Sequence, residues 1–77
     1  MKKELANKQI YNDFISKTIL TDNEADILIR YIKNDSIVKI ANDTNQGTTT
    51  VSRTIASIKE KYKRYKQLEL AKLMLLQ

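Results

Sequence analysis

Cysteine, histidine, proline and tryptophan are all missing from this 77-residue chain, and glycine occurs once, at Gly47. Without cysteine there are no disulfides; without cysteine and histidine, the commonest soft-metal ligands, thiolate nucleophiles and imidazole general bases are excluded. No proline and a single glycine leave a β-sandwich or barrel almost none of its usual turn punctuation. No run of about 18 apolar residues could span a bilayer, and the opening MKKELANKQI carries two lysines without the apolar stretch of a secretory signal. These absences predict a cytoplasmic, all-α protein, a small helical bundle of four to five helices forming one domain over residues 1–77. Such a short chain buries a thin core, so packing, alone or helped by a second chain, must supply the stability. No cofactor, metal, membrane or small-molecule ligand is expected.

Charge is plentiful but uneven. Through Thr50 seven basic residues meet seven acidic ones, whereas from Val51 onward seven bases (Arg53, Lys59, Lys61, Lys63, Arg64, Lys66, Lys72) meet only Glu60 and Glu69. The whole excess of +5 therefore lies in the last third. A basic face of this kind is the electrostatic footprint of a polyphosphate partner, although a solvated lysine-rich helix has the same composition.

Apolar spacing places the helices. Residues 3–17 read as one amphipathic helix, with Ile10, Tyr11, Phe14 and Ile15 on one stripe beside Leu5. Thr21-Asp22-Asn23-Glu24 is a capping box that opens a second helix, and Asp22, Glu24 and Asp26 sit where the helix dipole favours negative charge. Ile27, Leu28, Tyr31 and Ile32 form its inner stripe, and Asn34-Asp35 ends it, asparagine being suited to a left-handed cap. Ser36 caps a short helix holding Ile37, Ile40 and Ala41, which stops at the polar run Asp43-Thr44-Asn45-Gln46-Gly47. A last helix starts at Thr48 or Thr49 and buries Val51, Ile55, Ile58 and Tyr62. Unbroken to Leu76 it would run roughly 42 Å at 1.5 Å per residue, more than so small a core can cover. Either it breaks between residues 63 and 66, or another surface covers its end. That end (Leu68, Leu70, Ala71, Leu73, Met74, Leu75, Leu76) is apolar over more than half its circumference. It is expected to fold back on Phe14 and Ile15, to pair with a copy of itself through Leu68, Ala71 and Leu75, or to do both.

Two helices joined by a tight polar turn, the second beginning with small polar residues, describe a helix-turn-helix. A helix entering a major groove about 12 Å wide needs short hydrogen-bonding side chains at its outward start. Thr48, Thr49, Ser52 and Ala56 fit that space, and Arg53 supplies the fork that reaches guanine O6 and N7 together. Ser36, Lys39, Thr50, Lys59 and Lys63 are candidate phosphate contacts, which set affinity and salt dependence without reading sequence. Ser36 serves equally as a plain N-cap. Of the four tyrosines, Tyr31 and Tyr62 fit the core stripes, with their hydroxyls at the rim.

Residues 20–62 resemble, in one gapless register, the LuxR/GerE-type helix-turn-helix, shared in outline by region 4 of bacterial sigma factors. Leu20-Thr21 with Glu24 match that family's "LT..E", Ile40-Ala41 its "IA", Thr50-Val51 its "TV", and Ile58 with Lys61-Tyr62 its "I..KL". The chain departs at Asn34 (commonly glycine), Lys39 (glutamate), Thr54 (histidine) and the turn Asn45-Gln46-Gly47, where an apolar residue usually holds the middle place. GTTTVSRTIASIK also resembles the recognition region of Trp-repressor-like proteins, but the stretch before it is about two turns too short for them. The first resemblance implies a sequence-specific transcriptional regulator that binds double-stranded DNA as a homodimer through the helix after the recognition helix; the sigma-like variant implies action through RNA polymerase. The family's usual sensing or receiver domain is absent, which leaves a single-domain regulator starting at Met1 or a piece of a longer one. The competing expectation is a helical protein–protein adaptor, or a sigma-factor-like accessory protein, acting through the leucine-rich end. No enzyme is expected: there is no phosphate-binding glycine loop, and Asp22 and Asp26 are accounted for by the capped first turn.

Overall fold

The computed structural model describes residues 1–75, and Leu76 lies outside them. Five helices follow in order, with no strand among the described residues: α1 (Lys2–Leu5), α2 (Lys8–Lys17), α3 (Asp22–Ile32), α4 (Ile37–Thr44) and α5 (Thr48–Leu75). The bundle class expected from composition is the one adopted.

Local chemistry sets each boundary. The stretch read as one helix over residues 3–17 is two, because Asn7 leaves the helix with an extended backbone and its side chain accepts from the amides of Gln9 and Ile10, capping α2. The break lets Leu5 reach the core, where it is fully buried. At the start of α3 the capping box is complete: Thr21 Oγ accepts from Glu24 N (3.1 Å), and Glu24 Oε1 accepts from Thr21 N (2.9 Å). Helices α3 and α4 end alike. Asn34 (φ 74°) and Asn45 (φ 56°) take the left-handed conformation. Each ending is closed by paired amide-to-carbonyl bonds, Asp35 to Arg30 with Asn34 to Tyr31, and Gln46 to Ala41 with Asn45 to Asn42.

The core is the set of inner stripes: Leu5, Phe14, Ile27, Leu28, Ile40, Ala41, Val51, Ile55, Ile58 and Tyr62. Both α3 and α4 pack on the first half of α5, and α2 packs on its middle. There the edge of Phe14 meets the rings of Tyr62 and Tyr65, each 5.3 Å away between centroids. Carboxylates from the first two helices reinforce this seam. Tyr62 donates to Glu4, which also pairs with Lys66 (3.0 Å). Tyr65 donates to Asp13, while Lys17 bridges Asp13 (3.1 Å) and Glu69 (2.9 Å). These bonds hold the Glu4 and Asp13 carboxyls below their ordinary range; burial and then the bond to Glu4 push the Tyr62 phenol up, and the bond to Asp13 does the same for Tyr65.

Helix α5 does not break between residues 63 and 66. It stays helical to Leu75 and stretches the molecule to 47 Å against 20 and 17 Å in the other directions. Nor does its end fold back on Phe14 and Ile15. Tyr65 alone makes that approach, whereas Leu68, Leu70, Leu73, Met74 and Leu75 are all at least 60% exposed. No residue in the stretch after Gly47 is a helix breaker, and the carboxylate seam ties the helix to α1 and α2 as far as Glu69. No helix among the described residues is long and apolar enough to cross a membrane.

Candidate nucleic-acid interface

The site is built around the link from α4 to α5. Ser36 caps α4 by accepting from Lys39 N (3.1 Å), the left-handed Asn45 ends it, and three residues, Asn45, Gln46 and Gly47, make the turn. The polar Gln46, where an apolar residue was the familiar pattern, packs the turn by another means. Its side chain exchanges two hydrogen bonds with the side chain of Asn23 in α3 (2.7 and 3.4 Å). The Gly47 carbonyl then opens the first turn of α5 by accepting from Val51 N (3.1 Å). The amides of Thr48, Thr49 and Thr50 come before that first bond and so lack carbonyl partners within the helix.

Val51, Ile55, Ile58 and Tyr62 face inward, which turns the opposite side of α5 outward. Thr48, Thr49, Ser52, Arg53 and Ala56 are exposed and lie within an arc of about 140° at 100° per residue. The expected base-reading residues thus share one surface. Lys59 and Lys63 continue the Ser52–Ala56 row along the helix and are also exposed. Among the described residues Arg53, Lys59, Lys63 and Arg64 make no ion pair, whereas Lys61 and Lys66 pair with Glu24 of α3 and Glu4 of α1, and Lys72 with Glu69 of α5 itself. Lys59 lies 5.8 Å from the Tyr31 ring centroid. One carboxylate, Glu60, stands exposed on the same outer side. The α4 candidates are less free: Ser36 spends an oxygen lone pair on its cap, and Lys39 pairs with Asp35 at 3.4 Å. Thr50 is exposed, and its carbonyl accepts from Thr54 Oγ (2.9 Å).

A polar cluster absent from the sequence reading fixes how this face is aimed. Glu24, only 6% exposed, uses Oε1 to accept from Thr21 N and from Lys61 Nζ (2.8 Å), and Oε2 to accept from Ser57 Oγ (3.0 Å). Lys61 also donates to the Ile19 carbonyl (3.0 Å). Burial works against the Glu24 charge, but Lys61, the Thr21 amide and Ser57 outweigh it and hold the pKa at about 2 against an ordinary 4.5. Ser57 and Lys61 lie one turn apart on α5 and grip α3 together, so α5 cannot rotate about its axis without breaking both bonds. The signal for this cluster was a polar pair at i, i+4 flanking the apolar stripe.

Among the described residues no three acidic side chains gather closely enough to hold a metal ion. A scan against protein-family profiles finds no match, and searches of curated proteins and of solved structures find none either.

Proposed function

We propose that this protein is a sequence-specific DNA-binding transcriptional regulator that lays the start of α5 in the major groove. The observation that carries the reading is the outer face of α5. Short polar side chains and one unpaired arginine project together from the exposed end of a helix whose opposite face is locked into the core. On this reading Thr48, Thr49, Ser52, Arg53 and Ala56 meet base edges, and Lys59 and Lys63 meet phosphates. The resemblance of residues 20–62 to LuxR/GerE-type domains supports it. So does the concentration of net positive charge in α5. The protein acts without enzymatic chemistry, in the cytoplasm, as a homodimer joined through the Leu70 and Leu73 side of the end of α5.

Selection of bound duplex oligonucleotides tests the reading directly, and enrichment of inverted repeats spaced by about one helical turn is the expected result. Arg53→Ala should relax preference at one base position at a cost of about 1–3 kcal/mol, while Lys63→Ala should weaken binding to all sequences alike and lower the salt slope by about 1. Unchanged specificity in the Arg53→Ala protein removes the assignment of that residue.

The bare leucines at the end of α5 favour a second reading, a helical adaptor in which the helix-turn-helix is scaffold. Gel-shift titration at two salt concentrations separates the two, since an adaptor has only weak charge attraction for DNA.

A further inference from the structure

The exposed end of α5 has two apolar sides with different borders. Leu70 and Leu73 line a groove toward α2 whose rim charges, Glu4, Lys66 and Glu69, nearly cancel. Leu68 lies on the other side, in a groove of about 530 Å³ between α5 and the connection from α2 to α3, facing Ile19. Ile19 is 91% exposed, the barest large apolar residue among those described. It cannot turn inward, because Lys61 holds its carbonyl and the Thr21 capping box fixes the chain two residues later. Around this apolar floor stand Lys17, Lys61, Arg64 and Lys72 against the single carboxylate of Glu69. Lys61 is paired with Glu24 (2.8 Å) and Lys17 with Asp13 (3.1 Å) and Glu69 (2.9 Å), Lys72 stands 3.7 Å from Glu69 and 62% exposed, and Arg64 has no ion-pair partner among the described residues.

We infer that this groove docks an acidic amphipathic helix of another protein, its apolar stripe on Ile19 and Leu68 and its carboxylates on Arg64 and Lys72. The dimensions suit such a ligand: from Lys61 to Lys72 the groove follows α5 for about 16 Å, three turns of a helix presenting residues i, i+3 or i+4, and i+7. A second copy is a poor occupant, because a two-fold axis here would set the cations of one chain against their own images. Nucleic acid is a poor occupant as well, since phosphate gains nothing from an isoleucine and a leucine at the centre of the site. Leu68 points about 130° round α5 from the middle of the outward face at its start. DNA on that face therefore leaves the groove open, and the docking does not depend on the DNA-binding reading.

The test uses the full chain and a fluorescein-labelled synthetic helix of about 15 residues, with leucines at i, i+3, i+4 and i+7 flanked by glutamates. A scrambled peptide of the same composition is the control. Fluorescence anisotropy should show saturable binding at least tenfold tighter for the patterned peptide, weakening as salt rises. Ile19→Ser should weaken it tenfold or more, and Arg64→Glu should weaken it similarly, while Ile19→Ser leaves the circular dichroism melt and the affinity for duplex DNA unchanged. Equal binding of the scrambled peptide overturns the proposal, as does an unaltered affinity in Ile19→Ser. Dissociation of a dimer by Ile19→Ser in sedimentation would assign the groove to a second copy instead. Binding of anionic lipid vesicles that Ile19→Ser abolishes, with no peptide binding, would assign it to a membrane surface. Loss of DNA binding in the unmodified chain would strike the DNA-reading proposal and leave this one standing.

Discussion

Over residues 48–62, α5 puts an apolar side chain beneath its neighbours every third or fourth position, whereas over residues 67–75 its leucines stand in water. Both stretches are one continuous helix, so local propensity does not separate them. Tertiary cover does: α3 and α4 lie against the first stretch, and among the described residues none past Glu69 is buried. Most helix stability in proteins comes from packing of an apolar face, which makes the first stretch a structural element and the second an unsatisfied surface. The sharpest way to break this contrast is to truncate one side chain in each. Ile58→Ala, at a site 1% exposed, should cost about 2–5 kcal/mol in urea denaturation, a large share of the stability of so small a domain. Leu73→Ala, at a site 60% exposed, should stay within about 0.5 kcal/mol at concentrations where the chain is monomeric. A comparable loss in both would mean that the end of α5 is packed in the isolated chain. A Leu73→Ala loss that grows with protein concentration would show a second copy covering it.

Acid probes the junction between the two stretches. Glu24 has its folded-state pKa depressed from 4.5 to about 2. The stability it contributes is therefore fully present above about 4.5 and lost as the pH falls toward about 2. Its size is on the order of 2 kcal/mol, reduced from the full shift because Lys61 is partly solvated. Glu4 and Asp13 act in the same direction on the other side of α5, where water shares the work. Glu24→Gln should thus cost about 2 kcal/mol at neutral pH and flatten, without abolishing, the fall in the urea midpoint between pH 4.5 and pH 3. If the wild-type midpoint stays level across that interval, the Glu24–Lys61 bond does not anchor α5.

What the sequence makes legible follows the same division. The inner stripes of α3, α4 and α5 could be read from spacing, and the Thr21 and Ser36 caps from residue type, because each is decided within one or two turns of chain. The outward set at the start of α5 follows from the same periodicity, since exposure there is the complement of the buried stripe. The break at Asn7 was missed because an apolar period runs through it, and asparagine as a cap looks no different in sequence from asparagine on a helix surface. The bonds that tie α5 to the bundle from Tyr62 to Glu69 run to Glu4, Asp13 and Lys17, fifty or more residues away in sequence. The Asn23–Gln46 pairing and the Glu24–Ser57–Lys61 cluster are likewise long-range polar contacts; the spacing of Ser57 and Lys61 marks a polar pair on α5 but does not name its partner on α3.

The smallest effects expected lie where α5 begins, and they separate stability from reading. Asn45, not the single glycine, takes the left-handed place in the turn, and no glycine has a positive φ. Asn45→Ala should therefore cost about 1 kcal/mol, because a β-carbon without a polar side chain gains nothing in that conformation. Gly47 occupies the N-cap position of α5, and a β-carbon there would meet only Thr50 Oγ at 4.0 Å, an ordinary contact. Gly47→Ser should fit and stabilise the fold by a few tenths of a kcal/mol, raising Tm by about 2 °C, since the hydroxyl can accept from the amide of Thr49 or Thr50. Those amides are also the ones a DNA phosphate would use at the head of α5. The same substitution should then raise Tm while weakening DNA binding severalfold for all sequences alike. A rise in Tm with no loss of DNA affinity would place the phosphate contacts on the lysine row of α5 and not at its first turn.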